Sequence, residues 1–184
     1  MLDEYWNVGP TDGEIVVFEN AILMIPLFPP EAISVARISV GAKCSTAGAV
    51  LDMALYRVVS PQFRRDFTAA ERVDGDMTEE SVDYEMMKRT GFLALSASFA
   101  PRHLVCEPNL WMLETVNYAL GVACASAWTA QGGLTQSSLS NVWHRSSSYP
   151  LPNNISFKQQ TNRNNTGTPA VVVRTIRACR RIAG

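Results

Sequence analysis

Histidine is scarce in this chain, and so is any arrangement that would put one to work. Only His103 and His144 occur in 184 residues. Neither "APRHLV" nor "NVWHRSS" sets its histidine beside a recognisable serine or cysteine nucleophile motif. G-x-S-x-G, a Walker loop, the dinucleotide glycine fingerprint and H-E-x-x-H are all missing, and each would carry its chemistry on a short local spacing. No enzyme and no cofactor are expected. The four cysteines, Cys44, Cys106, Cys124 and Cys179, stand far apart without a CxxC pair or an adjacent histidine. That spacing gives no metal site. Each lies in an apolar stretch, where a small buried thiol is the simplest reading, and spacing leaves disulfides open. No apolar run approaches the roughly 18 residues of a membrane span. The net charge of -1 gives no global attraction to nucleic acid or to an anionic membrane. The opening "MLDEYWNVGPTDGEIVVFEN" lacks the basic-then-apolar order of a secretory signal, so the chain is expected to stay, and to be assembled, in the cytoplasm where it is made.

What is present is apolar content and alternation. With 47% of residues apolar and 18% charged, the balance is that of a folded chain rather than a disordered one, and the length suits one well-buried domain. Ala36, Ile38, Val40, Ala42 and Cys44 alternate with Arg37, Ser39, Gly41, Lys43 and Ser45, the period of a half-buried strand. "STAG" is a turn. Leu51, Met53 and Leu55 then point one way, with Asp52 and Tyr56 opposite, so the two runs read as a hairpin or an adjacent pair. Residues 92–99 alternate again. Residues 112–127 fit either a strand or a helical stripe. Gly121 in mid-run and the Val, Tyr and Cys content favour a strand, whose small face (Ala119, Gly121, Ala123, Ala125) leaves room for another backbone, from this chain or a neighbouring subunit.

Residues 71–85 are strongly acidic. "VDGDMTEE" has a superficial calcium-loop look, but Gly75 comes too early for an EF-hand. A solvated loop, or a short helix capped by Asp76, is preferred. Asn154-Ile155-Ser156 and Asn164-Asn165-Thr166 match the glycosylation pattern and are read as turn residues. Several alternating strands with Gly, Pro and Asn turns indicate a β-sandwich.

The order of these pieces resembles the jelly-roll domains of tailed-bacteriophage virion proteins: head decoration proteins, head fibres and tail-fibre tips. The resemblance covers roughly residues 30 to 177. It is carried by "VARISVGAKCSTAGAVLDMALYRV", by "EPNLWML" with Trp111, and by the ending "YPLPNNISFKQQTNRNNTGTPAVVVRTI". Asn109 stands where those domains have glycine. The resemblance implies an all-β, antiparallel jelly-roll β-sandwich over 15–184 with a short N-terminal arm over 1–14. It explains why the most hydrophobic strand comes last: the closing strand pairs inside a sheet. It further implies a virion protein that works as a homotrimer.

Two roles follow from it. One is a head decoration protein on the major capsid protein, favoured because nothing resembles a fibrous stalk. Tyr5 and Trp6 would anchor the arm, although Trp6 could equally cover one end of the sandwich. Arg174, Arg177, Arg180 and Arg181 form either a solvated basic terminus or a clamp on an acidic surface of a neighbouring copy or the capsid. The alternative is a carbohydrate-binding adhesin or tail protein, with Trp128, Trp143 and Tyr149 as candidate sugar contacts. For the fold itself the alternation makes a direct prediction. Ile38→Asp puts an unpaired charge in the core and should lower stability by several kcal/mol in urea melts, whereas Arg37→Asp should cost far less.

Overall fold

A computed structural model describes residues 2–8, 13–60, 81–113, 116–133, 142–146, 149–158, 163–164 and 168–177. Among them there is no helix. The strands are β1 (Leu2–Val8), β2 (Gly13–Val17), β3 (Ala21–Leu27), β4 (Ile33–Lys43), β5 (Val50–Ser60), β6 (Ser81–Ala94) and β7 (Ala100–Met112). They continue with β8 (Tyr118–Cys124), β9 (Trp128–Gly133), β10 (Val142–Ser146), β11 (Asn154–Lys158), β12 (Arg163–Asn164), β13 (Thr168–Pro169) and β14 (Val171–Arg177). They build two antiparallel seven-stranded sheets. Sheet I runs β1-β14-β4-β9-β13, with β2 on β9 and β7 on β4; sheet II runs β11-β6-β5-β8-β3-β10-β12.

The chain changes sheet at most of its connections, the crossing pattern of a jelly roll. The hairpin expected between residues 36 and 55 does not form. The turn at 44–49, with Gly48 at a left-handed φ of 77°, carries the chain from β4 in sheet I to β5 in sheet II. The expected strand over 92–99 also stops early, because β6 ends at Ala94 and residues 95–99 turn towards β7. Residues 112–127 do contain a strand, β8, as propensity favoured. The closing strand β14 lies between β1 and β4, and its Val171 and Val173 enter the core while Val172 faces outward. Of the expected arm over 1–14, residues 2–8 form β1 along the outer side of β14.

Between the sheets lies the main core. It draws Leu23, Ile25 and Leu27 from β3, Ile38 and Val40 from β4, Leu51, Met53 and Leu55 from β5, and Leu120 and Val122 from β8. Trp128 from β9 and Val171 and Val173 from β14 complete it. The parity of β4 changes once along its length. Ile33 and Val35 face inward, then Ile38, Val40 and Ala42 do. Against β14, Ala36 is the extra residue, since Val35 and Arg37 pair with the adjacent Thr175 and Arg174; on the other side their partners Leu110 and Val105 are five positions apart, and the extra residues there belong to β7. A one-residue bulge restores the inward face after the alternation slips, which is why Ala36 is only half-buried and not a core position. Pro26 in β3 is accommodated because β10 pairs only as far as Met24, so its missing N–H breaks no bond on that side.

Sheet II is buried on its outer face too. Ile22, Met24, Ala54, Tyr56, Tyr84, Ala119 and Ala123 form a second cluster with Leu151 and Ile155. The small face of β8 is therefore covered by a segment of the same chain, the one carrying Leu151 and Ile155, together with the Tyr56 ring, while Ala125 stays exposed. A Cβ on Gly121 would stand 2.6 Å from the Tyr56 ring and 3.2 Å from Met24 Sδ. Gly121→Ala should thus overpack a rigid wall and lower stability by roughly 1–3 kcal/mol. Gly41→Ala is the milder comparison: its Cβ would meet Gln131 Oε1 at 2.7 Å, which can swing away, and Gln131 Cβ at 3.0 Å, which need give only a few tenths of an ångström. Urea denaturation of both variants checks this, and an equal loss for the two would contradict the packing argument.

Candidate functional site

Two surfaces hold the chemistry, one on each sheet. On sheet I the outward positions of β4 are Ser34, Arg37, Ser39, Gly41 and Lys43, because the alternate residues enter the core. Register sets Trp111, Val105 and His103 of β7 beside Ser34, Arg37 and Ser39. On the other side Val172 and Arg174 of β14 lie beside Ser39 and Arg37. Ser39 Oγ and His103 Nδ1 are 2.6 Å apart, a pairing that no sequence spacing could reveal. Partial burial, then the nearby Arg37 and Arg102 charges, hold His103 below the usual histidine range, so it favours the neutral ring and is a weak proton acceptor. Lys43 pairs with Glu14 at 2.9 Å and lies 4.4 Å from the Phe99 ring centre. Large apolar groups stand exposed on the same face, Trp111 (62% exposed), Val105 and Val16, and Phe18 (69%) follows just past the end of β2.

On sheet II the feature is a strap, residues 149–155, laid over the outer face. Asp52 is fully buried there. It accepts from Arg89 Nε at 3.2 Å, from Arg89 Nη2, and from the Leu151 backbone N–H at 2.8 Å. Tyr56 donates its hydroxyl to the Pro152 carbonyl at 2.7 Å. Burial, with the Asp52 charge adding, pushes the Tyr56 phenol well above its ordinary value, so it stays a donor. Met86 N–H donates to the Asn153 carbonyl at 2.8 Å, and β11 then continues as a strand on β6. The Tyr149-Pro150 bond is cis. Strap and sheet are thus joined by one buried carboxylate, one phenol and a backbone ladder.

The residues singled out from sequence are not gathered in one place. Tyr5 and Trp6 lie in β1, in register with Arg174 and Val173. Arg174 is half-buried within β14, and Arg177 is the last residue of that strand. Arg180 and Arg181 lie outside the described residues. Trp128 is 1% exposed in the main core, so it is closed to a sugar. Trp143 lies in β10 opposite Met24, and Tyr149 belongs to the strap beside Phe92. The three aromatics therefore make no common platform.

Asn154 opens β11 and Asn164 lies in β12, so these two are strand residues rather than turns. Cys44, Cys106 and Cys124 are buried free thiols, and burial pushes Cys106 up to about 11. Cys179 and the acidic stretch as far as Glu80, including the Asp76 cap and the calcium-like motif, are outside the described residues. Among the described residues no group of three or more potential metal ligands occurs.

No protein-family model and no curated protein matches this chain. Among solved structures, a chain from "The 2.6A structure of Infectious Bursal Virus Derived T=1 Particles" is similar at a TM-score of 0.35 and 10% identity, covering 96% of this chain. This chain spans 36% of the length of that one. A likeness at that level assigns no role.

The strap latch has an asymmetric energetic signature. Arg89 is 33% exposed while Asp52 is not exposed at all. Arg89→Met would strand a buried carboxylate and should cost on the order of 3–5 kcal/mol. Asp52→Asn keeps an acceptor for the Leu151 N–H and leaves Arg89 to water, so it should cost only about 1–2 kcal/mol. In a double-mutant cycle the second substitution should recover part of the loss caused by the first. Equal costs for the two single variants would show that the carboxylate is not desolvated.

Proposed function

We propose that the protein is a non-enzymatic virion structural protein, a head decoration protein of a tailed bacteriophage that seats the outer face of sheet I on the major capsid protein and works as a homotrimer assembled in the host cytoplasm. The observation that carries this reading is the character of that face. Arg37 stands at its middle, Lys43 lies beside it paired with Glu14, and Trp111, Val105 and Val16 stand exposed around them. Exposed aromatic anchors beside arginine are what protein interfaces concentrate at their centres, whereas a solvated sheet face usually alternates to small polar residues. The sequence resemblance to jelly-roll virion proteins supplies the class of partner. The Ser39–His103 pair does not argue for an enzyme. The pair sits on an open sheet face and not in a cleft that could hold a substrate.

The basic end fits the same picture as an electrostatic guide for an acidic capsid patch, setting register more than affinity. The test is cosedimentation with purified heads of the virus that encodes the protein. Trp111→Ala should weaken binding by roughly 30-fold or more, as truncation of a buried interface tryptophan does. Arg37→Glu should lower affinity and flatten its salt dependence. Wild-type protein that stays monomeric at high concentration and on heads, or variants that bind heads as wild type does, would overturn the reading.

A further inference from the structure

The edge of sheet II beside the strap carries a second surface, and it does not depend on the docking reading, because it lies on the other sheet. A recess there is lined by Glu85, Met86, Met87, Lys88, Arg89, Asn153 and Asn154. It is polar, and two of its charged groups are matched. Glu85 accepts from Arg57 Nε and Nη2 at 3.2 and 3.0 Å, and Arg89 forks onto Asp52 through Nε and Nη2. These contacts fix the planes of a carboxylate and a guanidinium, and the fork does not engage Arg89 Nη1. Asn153 and Asn154 are exposed, and each can offer an amide donor and acceptor.

Next to the recess stands Phe92, 60% exposed. Its ring is held from one side by Tyr149, with centroids 6.0 Å apart and planes tilted by 50°. The Arg89 guanidinium, 6.0 Å from the same ring, joins ring to recess. A large aromatic face is thus kept in water at the rim of a polar hollow.

We propose that this recess binds a neutral pyranose residue of a surface polysaccharide, its C–H face on Phe92 and its hydroxyls on Asn153, Asn154 and Arg89. A sugar matches both halves of the site. Neighbouring hydroxyls pair with planar amide and guanidinium groups in bidentate fashion, and the apolar ring face covers an aromatic without leaving polar groups unmet. An apolar peptide side chain would find no apolar slot here. An anionic ligand would find Arg89 already compensated by Asp52.

The experiment is a titration of the full chain, followed by backbone amide NMR, with the methyl glycosides of glucose, galactose, mannose and N-acetylglucosamine, and with galacturonate as the charged comparison. At least one neutral glycoside should shift the amides of residues 85–89 and 153–154 saturably, with little dependence on salt. Phe92→Ala should weaken that binding by at least about tenfold and leave the melting temperature unchanged, since the ring is mostly in water. Phe18→Ala, a similarly exposed ring just past a strand of the other sheet, should leave it as in wild type. Absence of saturable shifts with all four neutral sugars, binding confined to galacturonate, or full binding by Phe92→Ala would each overturn the proposal.

Discussion

The central strands of sheet II are apolar on both faces, and that constraint organises the molecule. Every residue of β3 and β8 is buried. One face of such strands can be satisfied by the opposite sheet of a sandwich, and the other needs a separate cover. Sheet I supplies the first cover, through a core to which strands from both sheets contribute. The strap supplies the second, with Leu151 and Ile155 completing the cluster over Ile22, Met24, Tyr56 and Ala123. Gly121 allows the Tyr56 ring to lie flat enough for this layer to close. A β-sandwich of two layers has here become, over part of its area, a structure of three.

A thin cover of this kind buries little apolar area, so its position must be set by polar contacts. Asp52 does that at a distance of 99 residues in sequence from the Leu151 N–H it accepts. A carboxylate with no exposure would be intolerable alone, and Arg89 makes it tolerable. Because Arg89 is only partly buried, the pair is not a sealed one: its cation faces the recess and Phe92 at the edge of the sheet. The residue that fixes the strap therefore also shapes the surface beside it.

Much of this was legible along the chain, and the failures have a common cause. The inward set Ile38, Val40, Ala42 and Leu51, Met53, Leu55 follows from local alternation, and so does β8 once Gly121 is weighed against a helix. The ending was legible as well: a Leu-Pro start, a short strand, a polar crossing and a valine strand within a sheet. Ala36 was misplaced because a bulge adds a residue without any mark in composition. The hairpin from 36 to 55 was misread because a Gly turn looks alike whether the chain returns along its own sheet or crosses to the other. Asp52 and Tyr56 were put on the right face, but nothing nearby in sequence says that residues 149–155 will cover it. Phe92 and Arg89 were invisible as a pair for the same reason, since their meaning comes from Tyr149 and Asp52. Trp128 shows the converse, an aromatic among polar neighbours whose ring turns into the core.

The two sheets thus divide the work by how their outer faces are treated. Sheet II covers part of its outer face with its own chain, leaving a recess and the Phe92 ring in water beside the strap. Sheet I has no such cover among the described residues, although Trp111, Val105 and Val16 stand on its outer face. The same chain that spends a strap to cover one apolar face leaves another uncovered. On the proposed reading this is the face that a partner covers, and Arg37 at its middle would then set the register of an acidic contact more than its affinity.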